Sequence, residues 1–335
     1  MLLDKLSRPL HDLRISVIDR CNFRCRYCMP EEEYSKHYKF LEETQWLTFA
    51  EIERLSKIFI GLGVNKIRLT GGEPLLRPQL HVLIEKLSRI TELNDLSLTT
   101  NGILLAEHAA SLRAAGLKRL TVSLDTLDEK IFKTMSGGRG SVKDVLNGIE
   151  AAQRAGFQSI KINVVVQRGI NDHTILDLVG RFRATGHVLR FIEYMDVGNC
   201  NHWQLGNVVP SAELLKMIHA VYPVRALKPN YRGEVAERYE FSDGEGEIGF
   251  ISSVTQPFCG DCSRARLSTD GKIFTCLFAE TGKNLRGPLR NGATDTELTA
   301  VITTIWQARN DRYSELRSQL TGHATSKVEM FQIGG

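Results

Sequence analysis

The chain has 335 residues, 42% hydrophobic and 24% charged, an ordinary globular composition with length for one large domain and a smaller one. A net charge of +4 with a pI near 8.6 is too mild to argue for a nucleic-acid partner. There is no run of about 18 apolar residues, so no membrane span is expected. The opening MLLDKLSRPLHDL carries Asp4 and Lys5 and lacks an apolar core, so no signal peptide is expected and the chain reads as cytoplasmic. In that setting, seven cysteines read as metal ligands before disulfides.

Strand and helix patterns alternate from residue 13 to about 195. Candidate strands cover 13–19, 65–70, 95–100, 118–124, 159–166 and 187–193. Between the first two, Thr48 and Glu51 form a capping-box pair, and Ile52, Leu55, Phe59 and Leu62 recur at helical spacing before Gly63. A second clear helix begins at Ser141, runs through Val145, Ile149 and Ala152, and stops at Gly156. Six strand–helix units imply a mostly parallel sheet, either a partial (β/α)6 barrel or a flat doubly wound sheet. After residue 200 short segments broken by Gly and Pro replace this rhythm. The expected organisation is a barrel over 1–200, a smaller cluster-binding region over 201–320 and a tail over 321–335.

A parallel strand covered on both faces should be apolar throughout. These strands instead alternate: Arg14 and Ser16, Arg68 and Thr70, Ser97 and Thr99, Thr121 and Ser123, Lys161 and Asn163 are two apart and share a face. Such a face is either solvated or the lining of a ligand-filled interior. Loops at the C-terminal strand ends are where such folds carry function. Here they include Gly71-Gly72-Glu73-Pro74, Thr99-Thr100-Asn101-Gly102, Ser123-Leu124-Asp125 and Glu193-Tyr194-Met195-Asp196. Read alone, Met195 fits core packing as well as a ligand contact.

Cys21, Cys25 and Cys28 stand in C-x3-C-x2-C spacing in the loop after the first strand. Three thiols this close suit one metal centre. A [4Fe–4S] cluster on three cysteines leaves one iron open, whereas structural zinc needs a fourth ligand that is not nearby. Cys259, Cys262 and Cys276 form a second trio, again open to a cluster or to zinc. The segment Cys262-Ser263-Arg264-Ala265-Arg266-Leu267 puts two guanidinium groups beside it, suited to bidentate phosphate contacts. Cys200 belongs to neither trio.

C-x3-C-x-aromatic-C, with Tyr27 as the aromatic, resembles the signature of the radical S-adenosylmethionine (SAM) superfamily. LRISVIDRCNFRCRYCMP, RLTGGEP, LTTNG, RFIEYMDVGN, CGDCSRARL and the final Gly334-Gly335 together resemble its GTP-cyclising family, which begins molybdenum cofactor biosynthesis. The resemblance covers nearly the whole chain. It implies a partial (β/α)6 radical SAM barrel, two [4Fe–4S] clusters held by the two trios, and SAM on the first. Tyr27, Gly72, Ser123 and Met195 would then contact SAM. Arg14, Arg68, Thr99, Lys161, Arg264, Ala265 and Arg266 would bind GTP, with Lys66 and Arg190 uncertain in facing. The SAM-derived radical would take the C3′ hydrogen of the ribose, and ring closure at C8 would give 3′,8-cyclo-7,8-dihydro-GTP. Gly334 and Gly335 would reach into the active site. Implied partners are a low-potential electron donor and cyclic pyranopterin monophosphate synthase, which takes the product; a homodimer stays open. Two other readings compete: a peptide-modifying radical SAM enzyme and a zinc-stabilised nucleic-acid module. Against the last stand 7% aromatic content and the lack of a basic stripe.

Overall fold

The computed structural model of the chain describes residues 1–231, 233–320 and 327–334. The six expected strands form as β1 (Asp12–Ser16), β2 (Lys66–Thr70), β3 (Asp95–Thr100), β4 (Arg119–Ser123), β5 (Lys161–Val166) and β6 (Val188–Glu193). Helices α1 (Phe49–Gly61), α2 (Leu80–Ser88), α3 (Leu105–Ala114), α4 (Glu129–Ser136), α5 (Val142–Arg154) and α6 (Ile175–Phe182) connect them. The capping box at α1 is made: Thr48 accepts from the Glu51 amide and Glu51 accepts from the Thr48 amide. Ser141 caps α5 by accepting from the Asp144 amide, without the reciprocal bond. Gly63 and Gly156 follow their helices at φ +118 and +97, a region that other residues rarely adopt.

Neighbouring strands follow chain order, β1-β2-β3-β4-β5-β6, and all five pairings are parallel. Every crossover therefore steps the same way, and with one hand of connection the helices gather on one side. A doubly wound sheet would instead reverse its order at a switch point. The sheet is not closed, which makes it a partial barrel. Its outer face buries Leu13, Ile15, Ile67, Leu69, Leu96, Leu98, Leu120, Val122, Ile162 and Val164 against the helices.

The C-terminal half contributes α7 (Ser211–Val221), β7 (Val224–Ala226), β8 (Glu237–Phe241), β9 (Glu247–Ile251), β10 (Arg264–Leu267), β11 (Lys272–Phe274) and β12 (Lys283–Asn284). α8 (Arg286–Arg290), α9 (Asp295–Gln307), α10 (Tyr313–Leu320) and the short α11 (Met330–Ile333) follow. Its strands extend the same sheet at both edges. β10 lies parallel to β1 and β9 parallel to β6, giving the order β12-β11-β10-β1 through β6-β9-β8-β7. Both open edges of the barrel strands are thereby covered. No helix among the described residues is long and apolar enough to cross a membrane.

Candidate active site

Register decides which side chains share the inner face. Arg14 pairs with Arg68 on β2 and with Arg266 on β10; Thr121 pairs with Lys161, and Asn163 with Arg190. Partners in register point to the same side, so the alternation read from the sequence becomes one cationic wall. Arg14, Lys66, Arg68, Lys161, Arg190, Arg264 and Arg266 all line a single cavity. Lys66 is partly answered by Asp12 at 3.5 Å and Asp95 at 3.9 Å. Among the described residues no carboxylate lies within ion-pair distance of Arg14, Arg68, Lys161, Arg190 or Arg266, because the carboxylates on this wall are engaged elsewhere: Asp12 with His11 and Ser263, Asp95 with Arg119. Burial weighs against their charge, and they repel one another. Together these push Lys161 down to about 7 and Arg190 and Arg266 down to about 9. Buried cations left unpaired cost several kcal/mol each. A wall of them is arranged for a polyanion.

The late trio lies at one mouth of this wall. Cys259 and Cys262 precede β10, which runs parallel to β1, and Cys276 follows β11, which runs back against β10. All three therefore lie toward the N-terminal ends of the barrel strands, and all three line the cavity. Burial opposes ionising Cys262, but the guanidinium groups of Arg264 and Arg309 overcome it and bring the thiol down to about 6. Burial leaves Cys276 raised, to about 11. Arg309, and Arg8 beside it, carry no sequence motif; only the fold brings them to the trio.

The first trio lies in the loop after β1, toward the opposite ends of the strands, and does not itself line this cavity. Arg24 holds its loop by donating to the carbonyls of Cys21 and Phe23, both at 2.8 Å, and of Tyr34 at 2.8 Å. The Gly-Gly segment packs on the same loop: Gly72 donates to Ile18 and Glu73 to Arg20, both at 2.8 Å. A side chain at Gly72 would run into the Arg20 carbonyl. Glu73 is buried and accepts from Thr100, Asn101 and Leu75, which ties the second and third strand ends together. Burial pushes it up to about 7 in spite of those bonds. Tyr27 donates to Asp125 at 2.8 Å, linking the cysteine loop to the end of β4 beside Ser123. Burial and neighbouring acidic groups push all three thiols up, Cys21 to about 12. Cys276 is raised as these three are, so it is Cys262, beside Arg264 and Arg309, that differs from the first trio.

The tail enters between them. Lys327 Nζ donates to the Asp196 carbonyl at 2.8 Å and lies 3.1 Å from its carboxylate, which also accepts from Tyr313 at 2.5 Å and Arg317 at 2.9 Å. Glu329 accepts from the Asn199 amide and side chain, both at 2.9 Å. Phe331 is buried with its ring centroid 5.0 Å from that of Tyr34. Beyond it, Arg266 Nη1 donates to the Gly334 carbonyl. Gly334 sits at φ +73, where a Cβ would run into the Thr70 methyl. Gly335 lies outside the described residues. Cys200 is 3.6 Å from Glu329 and 3.7 Å from the Tyr34 hydroxyl, a neighbour of the tail rather than of either trio.

Of the other sequence-predicted residues, Met195 lines the cavity. Thr99 is on β3 with a buried hydroxyl that has no partner among the described residues. Ala265 lies between two inward arginines with its own side chain in the core, so only its backbone is available to a ligand. Among the described residues no three His, Cys, Asp or Glu side chains gather tightly enough for a single metal ion. Mononuclear zinc needs that convergence, whereas an iron–sulfur cluster takes its thiolates on separate irons. Three thiolates are a donor set of the kind such a cluster takes.

Comparison with known proteins agrees with this geometry. The sequence model described as Radical SAM superfamily matches residues 15–182, and that described as Molybdenum Cofactor Synthesis C matches residues 187–315. A curated protein of Xanthomonas axonopodis pv. citri named GTP 3′,8-cyclase is 54% identical over 99% of this chain and 98% of its own length. Proteins of the same name from Acidothermus cellulolyticus and Staphylococcus epidermidis are 50% and 45% identical, covering 99% and 100% of this chain and 98% and 99% of their own. Among solved structures, Streptococcus suis SuiB bound to S-adenosylmethionine aligns over 96% of this chain and 72% of its own, with a TM-score of 0.59 at 17% identity, a likeness of fold.

Proposed function

The chain belongs to the GTP 3′,8-cyclase family of radical SAM enzymes, which serves molybdenum cofactor biosynthesis, and from that premise we propose how its residues divide the work. The reaction is cyclisation of GTP to 3′,8-cyclo-7,8-dihydro-GTP. Cys21, Cys25 and Cys28 hold the SAM-binding [4Fe–4S] cluster, and Cys259, Cys262 and Cys276 hold a second. The first cluster, when bound, supplies the electron that cleaves SAM to a carbon radical. The chain supplies everything else: binding, aim and exclusion of water.

Tyr27, Gly72, Ser123 and Met195 border the SAM end. Gly72 lets its segment pack directly on the backbone of the cysteine loop at Arg20, and Tyr27, pinned by Asp125, limits movement of that loop. Arg14, Arg68, Lys161, Arg264 and Arg266 neutralise the triphosphate, with Thr99 and the Ala265 backbone as polar neighbours. Lys66 and Arg190 join them, since both line the cavity. Holding the triphosphate on this wall turns the ribose toward SAM and the base toward the late trio, and such positioning accounts for several kcal/mol of a barrier. Gly334, whose carbonyl accepts from Arg266, closes the site and keeps water from the radical. A low-potential donor and cyclic pyranopterin monophosphate synthase complete the partner set, in the cytoplasm. The observation that carries this reading is the single cavity that joins the unpaired cationic wall to the late thiols.

The test is iron, acid-labile sulfide and zinc in anaerobically purified protein, together with GTP affinity. Two four-iron clusters and tight GTP binding are expected. Zinc at the late trio, or GTP affinity unchanged when Arg14 and Arg68 are replaced by Ala, would contradict the assignment.

A further inference from the structure

The late trio meets two guanidinium groups that lie far from it in sequence. Arg8 and Arg309 are each only 1% exposed at the side chain and share one buried carboxylate: Asp4 Oδ2 lies 2.6 Å from Arg8 Nε and 3.2 Å from Arg309 Nη1. Arg8 Nη1 donates to the carbonyls of Cys259 at 2.8 Å and Asp311 at 2.7 Å. Arg309 Nη1 donates to the carbonyl of Cys262 at 2.6 Å, and its Nη2 lies 3.2 Å from the Cys262 sulfur. Arg8 Nη2 is buried without a hydrogen-bond partner among the described residues, and Arg8 and Arg309 both line the cavity into which the thiols face.

Holding three carbonyls does not require two buried cations. Neutral donors would do it without the desolvation cost, which is several kcal/mol per ion. Asp4 lies between both, and Asp311, partly exposed, is 3.4 Å from Arg309 Nε. What a guanidinium adds is charge and an N–H directed at sulfur. Hydrogen bonds to sulfur and local charge are the levers by which a protein sets the reduction potential of an iron–sulfur cluster. Partners that hold ligand residues also set how the ligands are presented.

We infer that Arg309, oriented with Arg8 by their shared Asp4, is a positioning residue for the group bound at Cys259, Cys262 and Cys276, and raises its reduction potential. The inference rests on reading that trio as a cluster site. Arg309 withdraws charge from the Cys262 thiolate through the N–H···S contact, and Arg8 offers a further donor on the same side. The Asp4 carboxylate tempers both. The two residue types therefore act with opposite sign.

Redox titration of the anaerobically purified chain, followed by electron paramagnetic resonance, reads both clusters in one sample, with the first as internal reference. Arg309→Gln moves the midpoint potential of the second cluster to more negative values and leaves the first in place. Asp4→Asn, which leaves the guanidinium groups less compensated, moves it the other way. Arg309→Lys keeps the charge and the second cluster's iron but shifts its potential less than Arg309→Gln. Unmoved potentials with iron retained, or shifts of the same sign in the Arg309→Gln and Asp4→Asn variants, would overturn the inference. So would loss of the second cluster in all three variants, which would confine Arg309 to holding the Cys262 loop. A wild-type chain with a single cluster, or with zinc at the late trio, would instead overturn the underlying reading and this inference with it.

Discussion

A buried lysine among arginines is a proton reservoir as well as an anion contact. Lys161 is brought down to about 7 by burial first, then by Arg190, Arg119, Arg68 and Lys66. A bound triphosphate favours the ammonium and raises that value again. Below pH 7 the lysine is already charged and binding takes up no proton. Above it, binding must recruit one, so GTP affinity falls as pH rises, by up to about tenfold per pH unit. Calorimetry between pH 7.5 and 8.5 should show a steeper fall in the wild type than in Lys161→Arg, where only Arg190 and Arg266, at about 9, remain to titrate on the wall. Equal slopes would remove Lys161 from the triphosphate site. For Arg266, whose charge-assisted hydrogen bonds are each worth about 1.5–3 kcal/mol, replacement by Ala should weaken GTP binding by about tenfold or more. SAM cleavage should suffer less than cyclisation, and equal losses in the two assays would contradict the assignment. The cysteines and the two R-A-R arginines were legible because they are adjacent in the chain. Lys66 and Arg190 had no readable facing until register supplied it. Arg8 and Arg309 were not legible at all: 301 positions separate them, and only packing of α9 on the N-terminal segment, with Trp306 donating to the Arg8 carbonyl at 3.2 Å, brings them together.

Two kinds of element respond differently to reading by pattern. β1 to β6 and α1 announced themselves by period and cap, since those signals are local. β9 and β10 did not. What stabilises them is pairing in parallel with strands far away in sequence. The tail had apolar anchors in its sequence, but its polar latch at Asp196, Asn199, Lys327 and Glu329 depends on a loop about 130 positions upstream. Gly334→Ala puts a methyl where the Thr70 side chain stands, at a backbone angle that disfavours alanine. The expected result is retained iron and nearly unchanged GTP affinity with cyclisation lost, read by assaying the variant for all three; deletion of Gly334 and Gly335 should do the same. Asp196→Asn weakens the contacts to Lys327 and Arg317. It should speed hydrogen exchange over residues 327–334 and lower cyclisation by about tenfold, while the exchange of β1 to β6 stays put. Unchanged exchange in the tail would mean that the latch is dispensable.

The whole molecule places one cavity along the inner face of one sheet, with the late trio in its lining and the first trio in the loop after β1, toward the other ends of the strands. Strand order supplies this. β10 joins β1 in parallel, so the cysteines before it fall at the end opposite the loop that follows β1. The expectation that function gathers at the C-terminal strand ends therefore describes the first trio and the tail, and the late trio serves the other end. The separation has a consequence for chemistry. Cys25→Ser should abolish SAM cleavage yet leave the late cluster's iron, and any normal production of 5′-deoxyadenosine by that variant would contradict the first trio's role. The central claim is that this cavity holds GTP between SAM and the late trio and turns it over. Product analysis after anaerobic incubation of the reconstituted chain with SAM, reductant and GTP tests that most directly. The account predicts 3′,8-cyclo-7,8-dihydro-GTP together with 5′-deoxyadenosine. SAM cleavage with GTP recovered unchanged would contradict it.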